Sequence, residues 1–306
     1  MLYNTTPDQL YEPRSAIVDP LGYGKVAIVT GCASGIGLAC TQLLLAHQFS
    51  VCGVDRAPFD YALLRVADHG RFHFHQADLA QDPGACDEVV RICLHASERN
   101  DQPRRIDVLV NVAGVLDNFA SADTVTDAMW DHVLAVNLTV PVRMMRAVLG
   151  PMKEQNSTGG GGGGGSGSGS GVIINVASTA GLSGAVAGVA YTASKHGLIG
   201  ATKNVAWRFR HEGIRCNAVL PGAVDSSVGQ AIANRVDEGL DTAGFAEAAP
   251  VHALQAQAGS SKAPSSNGAT SITALDVAKS VVFLLGDQAS SINGVCLPVD
   301  KAWGVM

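Results

Sequence analysis

A glycine-rich turn between a short strand and a helix constrains the fold of this chain more than any other feature. Residues 25–30 form an apolar, strand-like run, and the segment TGCASGIG at 30–37 follows it and opens a helical pattern. Glycine permits the tight turn and lets backbone N–H groups at the helix N-terminus approach a pyrophosphate. The segment therefore predicts a dinucleotide-binding turn, with a purely structural turn as the alternative. The predicted contact residues are Gly31, Ser34, Gly35, Ile36 and Gly37.

The rest of the chain alternates short β-branched runs with longer helical patterns. Six further strands are predicted at 50–55, 71–77, 107–111, 172–177, 215–220 and 295–299. The clearest helical patterns lie at 36–47, 128–148, 190–211 and 275–285. Such alternation predicts an α/β fold, a Rossmann-like doubly wound parallel sheet covered by helices on both faces in three layers.

The chain has 306 residues, 47% of them hydrophobic, which is enough to bury one sizeable core. We therefore expect a single domain at 24–306, preceded by an N-terminal extension at 1–23. Two segments interrupt the alternation of strands and helices. Residues 159–171 are only glycine and serine and predict a flexible surface loop, whereas 226–271, rich in Ala, Gly and Ser, predict either a substrate lid or a variable surface excursion.

Charge and cysteine content narrow the classes of function. The formal net charge is -6 and no Lys/Arg run is present, which argues against nucleic acid or an anionic membrane as the main partner and favours a small molecule. The seven cysteines form no CxxC pair and no zinc-like cluster, so no metal site is predicted. Without a secretory signal or an apolar run of about 18 residues, a soluble cytoplasmic protein is expected.

Three residues in the second half of the chain suggest chemistry at a carbonyl or an alcohol. Tyr191 and Lys195 are four residues apart and share a helix face, and Ser178 follows a strand-like run. We expect the Lys195 ammonium to lower the pKa of the Tyr191 phenol, because a neighbouring cation favours the phenolate. The Ser178 hydroxyl would hold the substrate oxygen.

The residue that ends the second predicted strand suggests which dinucleotide is bound. Asp55 lies eighteen residues after Gly37, where an acid is expected to bind the adenine ribose hydroxyls. Its carboxylate would repel a 2′-phosphate, so NAD(H) is predicted in preference to NADP(H), although Arg56 could soften the repulsion.

Together these motifs resemble the short-chain dehydrogenase/reductase family, in its single-domain branch. The family's TGxxxGIG and Tyr-x-x-x-Lys patterns are complete, and the stretch 111–114, NVAG, differs from the usual NNAG only at Val112. The resemblance implies a tetrad and further cofactor contacts. The tetrad residues are Asn137, Ser178, Tyr191 and Lys195. The implied contacts are Asp78, Leu79, Asn111, Ala113, Gly114, Tyr191, Lys195, Pro221, Gly222 and Val224.

The spacing of the tetrad supports this resemblance. Ser178 and Tyr191 are thirteen residues apart, as is usual in the family, whereas Asn137 and Ser178 are forty-one apart, about fourteen more than usual. The insertion at 159–171 accounts for nearly all of the excess, so we expect it to loop out without disturbing the site. Asn137 is expected to bind a water that links Lys195 to solvent.

The resemblance implies reversible, NAD(H)-dependent interconversion of a secondary alcohol and a ketone. Small and apolar residues at 182–189 favour a hydrophobic or cyclic substrate, such as a natural-product intermediate. Two alternatives keep the cofactor: a net non-redox reaction (isomerisation, epimerisation or dehydration) and a non-catalytic dinucleotide-binding protein. The resemblance also implies a homodimer or homotetramer.

Overall fold

Short buried strands joined by helices build the fold of the computed structural model, which describes residues 21–98, 105–157, 171–225, 239–258 and 272–305. The strands are β1 (Val26–Thr30), β2 (Ser50–Asp55), β3 (Phe72–Gln76), β4 (Val108–Asn111), β5 (Val172–Val176), β6 (Arg215–Pro221), β7 (Val224–Asp225), β8 (Ile272–Thr273) and β9 (Cys296–Val299). The α-helices are α1 (Gly35–Ala46), α2 (Ala85–Glu98), α3 (Asp127–Leu134), α4 (Val140–Ser157), α5 (Val189–Arg208), α6 (Thr242–Ala258) and α7 (Ala274–Leu285).

Seven of these strands form one parallel sheet in the order β3-β2-β1-β4-β5-β6-β9. From β1 the chain builds the sheet outward to β3 on one side, and from β4 it builds outward on the other side. The connections that leave the neighbouring strands β1 and β4 therefore run in opposite directions and leave a crevice at the carboxyl edge of the sheet. β7 and β8 pair separately as a short parallel ribbon. The predicted Rossmann-like α/β fold is confirmed, and each of the seven predicted strands is present with ends within one residue of the prediction.

Helices cover both faces of the sheet and bury two apolar layers. On one face α1 and α7 pack together, with Leu44 and Val281 fully buried between them and the strands. On the other face α2, α4 and α5 bury a second layer that includes Val89, Met144 and Ala206. Because both faces are covered, the central strands β1, β4 and β5 are buried along their whole length rather than on alternate residues. The three-layer arrangement follows from this pattern.

The helix predicted at 128–148 differs most from the prediction. It consists of α3 and α4 joined by a π-helical turn, Ala135–Thr139, and continues to Ser157. The wider turn places Asn137 in the interior, where its side chain bonds the backbone of Val115. A polar side chain that satisfies a distant backbone segment in this way accounts for the local departure from α-helical geometry.

The run Asp127–Gln155 is also long and apolar enough to cross a membrane by length and composition. Here it packs on the sheet and on neighbouring helices, with Val140, Met145 and Met152 buried in the core. Packing in the core therefore accounts for part of its apolar character.

Several sequence predictions fall mainly outside the described residues. Of the N-terminal extension only 21–23 are described, and of the glycine-serine insertion only Gly171, which precedes β5 directly. Within the predicted lid, 239–258 are described and contain α6. The single-domain organisation stays a prediction.

Candidate functional site

The glycine turn at the end of β1 has the close contacts that only glycine allows. Gly31 adopts a φ of +70°, and a Cβ added there would lie 2.9 Å from the backbone of Ala113. A Cβ on Gly37 would lie 1.9 Å from the Gly31 carbonyl oxygen. The Thr30 hydroxyl accepts hydrogen bonds from the N–H groups of Val112 and Ala113, at 3.0 and 3.1 Å. The turn is thus locked against the end of β4, with the N-terminus of α1 open to the crevice.

A cleft of about 450 Å³ lies over this turn at the carboxyl edge of the sheet. Ten of the predicted cofactor residues line it: Gly31, Ser34, Gly35, Ile36, Gly37, Asp55, Asp78, Leu79, Ala113 and Gly114. At Gly114 a Cβ would lie 3.3 Å from the Asn137 Oδ1 atom and 3.7 Å from the Lys195 Nζ atom. The glycine cradle, the helix N-terminus and the acid at a strand end fit a dinucleotide.

The side chain of Asn111 lies inside the sheet. It is buried and donates a hydrogen bond to the Asn175 Oδ1 atom at 2.9 Å. It lines neither the cleft nor the neighbouring cavity. The hydrogen bond to Asn175 ties β4 to β5. The predicted contact of Asn111 with a cofactor stays a prediction.

Asp55 combines two tasks at the end of β2. Its Oδ2 atom accepts a hydrogen bond from the N–H of Ala33, inside the glycine turn, at 3.0 Å. Its Oδ1 atom accepts one from the N–H of Ala57 at 2.9 Å. The carboxylate therefore braces the turn while it lines the cleft beside Arg56.

A second, smaller cavity of about 260 Å³ adjoins the cleft and contains three tetrad residues. Ser178, Tyr191 and Lys195 line it, and Ile36 and Gly114 border both spaces. The predicted residues Pro221, Gly222 and Val224 also line this cavity.

The end of one strand and one helix bring the three tetrad side chains together. Ser178 follows β5, and its hydroxyl bonds the phenol of Tyr191 on α5. The Lys195 Nζ atom lies 5.4 Å from the centre of the Tyr191 ring and donates a hydrogen bond to the Val176 carbonyl oxygen at 3.2 Å. One helical turn separates Tyr191 from Lys195, which sets this proximity.

Asn137, the fourth tetrad residue, lies behind the cavity and is fully buried. Its Oδ1 atom accepts from the Val115 N–H and its Nδ2 atom donates to the Val115 carbonyl, both at 2.8 Å. The Nδ2 atom also lies 3.2 Å from the hydroxyl oxygen of Ser194 on α5. Asn137 thus joins the π turn, the loop after β4 and α5.

The pKa of Tyr191 differs from the sequence-based expectation in direction. Burial raises it to about 12, and although the Ser178 hydrogen bond lowers it, the nearby Asp117 carboxylate raises it further. Burial also lowers the pKa of Lys195 to about 8. Desolvation disfavours both charged forms and outweighs the expected effect of Lys195 on the phenol. At neutral pH the phenol is therefore protonated and ready to donate.

Apolar and aromatic side chains form the remaining walls of the cavity. Phe119 contributes from the loop after β4, Val186 from the loop before α5, and Trp303 from the segment after β9. Of the stretch 182–189 that was predicted to border the cleft, Val186 does so, whereas Leu182 is exposed to solvent.

α6, within the predicted lid segment, closes one side of the cavity. Its Phe245 ring packs edge-on against Phe119 at 5.2 Å, and its His252 ring stacks on Trp303 at 5.9 Å. The Trp303 Nε1–H donates to the Val251 carbonyl at 2.9 Å, and the His252 Nε2 atom lies 2.9 Å from the Val186 carbonyl oxygen. This part of the segment is therefore a wall of the cavity.

The sequence patterns predicted neither the aromatic wall of the cavity nor the buried Asp117 carboxylate below the start of α5. Phe119, His252 and Trp303 come from three segments far apart in the chain, so no local pattern joins them. Asp117 was detectable only as an acid shortly after the NVAG stretch.

Comparisons with known proteins agree with this geometry. The family model for short chain dehydrogenase matches residues 25–237. The short-chain dehydrogenase/reductase cdmF of Talaromyces verruculosus is 46% identical over 281 residues, which cover 92% of this chain and 97% of the relative. The asnovolin H dehydrogenase nvfC of Aspergillus novofumigatus is 42% identical over 282 residues, with the same coverage.

Solved structures share the whole fold. Levodione reductase superposes with a TM-score of 0.74 at 26% identity, covering 93% of this chain and 99% of that one. A variant of actinorhodin polyketide ketoreductase with NADPH has a TM-score of 0.70, also at 26% identity, covering 92% and 98%.

Proposed function

Because the chain belongs to the short-chain dehydrogenase/reductase family, we propose that it is an NAD(H)-dependent oxidoreductase that interconverts a secondary alcohol and a ketone on an apolar, ring-containing small molecule. The observation that carries the proposal is the convergence of Ser178, Tyr191 and Lys195 in an apolar cavity beside the glycine cleft. The relatives support a natural-product intermediate as substrate, since one is named for asnovolin H and a structural neighbour for a polyketide.

The side chains divide the chemistry of ketone reduction between them. A nicotinamide dinucleotide would supply the hydride when bound, and the glycine turn and Asp55 would hold its phosphate and ribose portions. Ser178 donates a hydrogen bond to the substrate oxygen and orients it. Tyr191, protonated at neutral pH, donates its proton to that oxygen. Lys195, protonated below about pH 8, then stabilises the phenolate that remains. Alcohol oxidation reverses these transfers.

The proposal is tested by following nicotinamide absorbance across a panel of ketones and alcohols of increasing ring number. We expect turnover with NADH on apolar cyclic ketones and little on small polar ones. NADH binding with no net turnover on any panel member would instead favour a non-redox reaction or a purely binding role.

Cofactor preference is tested at Asp55. The Asp55→Asn substitution removes the charge that repels a 2′-phosphate while keeping most of the shape that braces Ala33. Because this repulsion is lost, we expect the ratio of kcat/KM for NADPH to that for NADH to rise about tenfold or more. A factor of ten corresponds to about 1.4 kcal/mol. Steady-state kinetics with both cofactors measures it.

Arg56→Ala provides the opposite control, since it removes the exposed cation beside Asp55 and should lower NADPH use. An unchanged cofactor ratio in Asp55→Asn, with the protein still folded, would refute the ribose assignment and the NAD(H) preference together.

The apolar wall is tested at Trp303. The Trp303→Ala substitution removes the indole that lines the cavity and that stacks on His252. We expect kcat/KM for bulky apolar ketones to fall about tenfold or more, because a large buried contact area is lost. Small ketones should be affected much less.

Trp207→Ala is the matched control, because that tryptophan is 68% exposed and lies outside both cavities. Equal losses for large and small ketones in Trp303→Ala would indicate a general structural effect and contradict its role as a substrate wall.

The sequence also predicts a homodimer or homotetramer and a cytoplasmic location, and the proposal retains both. Members of this family are typically oligomeric. Neither prediction alters the chemistry assigned to the cavity.

A further inference from the structure

A buried carboxylate lies beneath the tyrosine helix. Asp117, in the loop after β4, is 1% exposed. Its Oδ2 atom accepts a hydrogen bond from the Tyr191 N–H at 2.8 Å. Its Oδ1 atom accepts two more, from the N–H groups of Gly188 at 3.0 Å and Phe119 at 3.1 Å. One side chain therefore joins the start of α5 to the loop after β4 beside the cavity.

The N-terminus of α5 depends on this carboxylate for its cap. Its N-cap residue is Gly188, which has no side chain to accept the first N–H groups of the helix. Asp117 accepts from them instead, and its charge is favourable at the positive end of the helix dipole. A Cβ on Gly188 would lie 2.5 Å from the Asp117 Oδ2 atom, so glycine is what lets the carboxylate approach. The backbone position of Tyr191 is set by this contact.

The Asp117 carboxylate also bonds the backbone of Phe119, which lines the cavity. Phe119 has a φ of +65°, a conformation that residues other than glycine rarely adopt without outside support. Its N–H is bound by Asp117, and its ring meets Phe245 of α6. A Cβ on Gly244 of α6 would lie 2.1 Å from the Phe119 carbonyl oxygen, so the lid helix packs directly on this residue.

We propose that Asp117 is a positioning residue that holds the backbone of Tyr191 in a fixed relation to the Phe119 wall, so that a substrate seated on the wall presents its oxygen to the phenol. This inference rests on the proposed function and adds a residue that touches neither substrate nor cofactor. An error of about 1 Å in such placement costs orders of magnitude in rate.

The charge of Asp117 has a second consequence, because it opposes ionisation of the phenol. Among the described residues, the titratable groups that line the cavity with Tyr191 are Lys195 on α5 and His252 on α6. Asp117 lies on the loop after β4 and bonds the Tyr191 N–H. Asp117 raises the pKa of Tyr191 together with burial. Removal of its charge should therefore lower the pH at which Tyr191 ionises.

The test compares Asp117→Asn, Gly188→Ala and the control Asp123→Asn, which changes an exposed carboxylate of the same loop region. Three quantities are measured: kcat and KM, NADH affinity by fluorescence, and Tyr191 ionisation by ultraviolet difference spectroscopy of the cofactor-free protein. Tyr191→Phe identifies the signal of this residue among the five tyrosines.

We expect Asp117→Asn to lower kcat about tenfold or more, with NADH affinity retained and the Tyr191 midpoint shifted to lower pH. Gly188→Ala, which displaces the carboxylate but keeps its charge, should lower kcat with a smaller shift of the midpoint. The Asp123→Asn protein should match the unmodified protein in each measurement.

Wild-type kcat and an unchanged midpoint in Asp117→Asn would overturn the proposal. If that variant does not fold, Gly188→Ala decides the matter, and wild-type kcat there overturns it equally. If the unmodified protein turns over no panel substrate, the proposed function fails separately. The inference about Asp117 is then judged on the Tyr191 midpoint, and an unchanged midpoint overturns it.

Discussion

Replacing Tyr191 by phenylalanine is expected to lower kcat about a hundredfold or more while leaving NADH binding nearly unchanged. Proton transfer by a positioned side chain contributes about 10²- to 10⁴-fold to rate, and the hydroxyl is the only group removed. Burial raises the pKa of Tyr191 to about 12, so the residue is a proton donor over the whole neutral range. Single-turnover absorbance with NADH and a cyclic ketone measures the loss.

The control for this experiment is Tyr61→Phe, which removes the hydroxyl of an exposed tyrosine outside both cavities. Its kcat should equal that of the unmodified protein. Substantial turnover in Tyr191→Phe with NADH affinity intact would contradict the proton-transfer role and shift attention to another acid in the cavity.

Replacing Gly37 by alanine is expected to weaken NADH binding at least tenfold and to lower the free energy of unfolding by about 1–3 kcal/mol. The added Cβ would lie 1.9 Å from the Gly31 carbonyl oxygen, which is a backbone atom and cannot move aside as a flexible side chain could. The turn must therefore open or α1 must move, and either change displaces the N–H groups that face the cleft. Isothermal titration with NADH and thermal unfolding measure the two effects.

Gly200→Ala is the matched control for this substitution. Gly200 lies on the exposed side of α5, and a Cβ there has no neighbour within 4 Å among the described residues. Alanine should leave NADH affinity unchanged and raise helix stability by up to about 1 kcal/mol. Equal NADH affinity in Gly37→Ala and Gly200→Ala would show that the turn is not the phosphate site.

The strands and the cradle could be predicted closely because their signals are local. The seven strands were found within one residue, since runs such as 26–30 are apolar throughout and are bounded by polar or glycine residues. Gly31 and Gly37 were identified from spacing alone, and their close contacts explain why that spacing admits no side chain. The positions of Ser178, Tyr191 and Lys195 in one cavity also followed from spacing along a strand and a helix.

Other features could not be predicted because they depend on distant partners. The side chain of Asn111, for example, bonds Asn175 on the next strand. The π turn at Asn137 depends on the backbone of Val115, and the raised pKa of Tyr191 depends on burial by segments far away in the chain.

The sequence by itself determined the fold class and the glycine turn and singled out the candidate reactive side chains, because these follow from periodicity and short spacings that act within one strand, turn or helix. Only the tertiary structure decided that the phenol is protonated, that Phe119, His252 and Trp303 wall the cavity, and that Asp117 lies under the first turn of α5. Burial and long-range hydrogen bonds control these features, and both depend on which segments the sheet brings together.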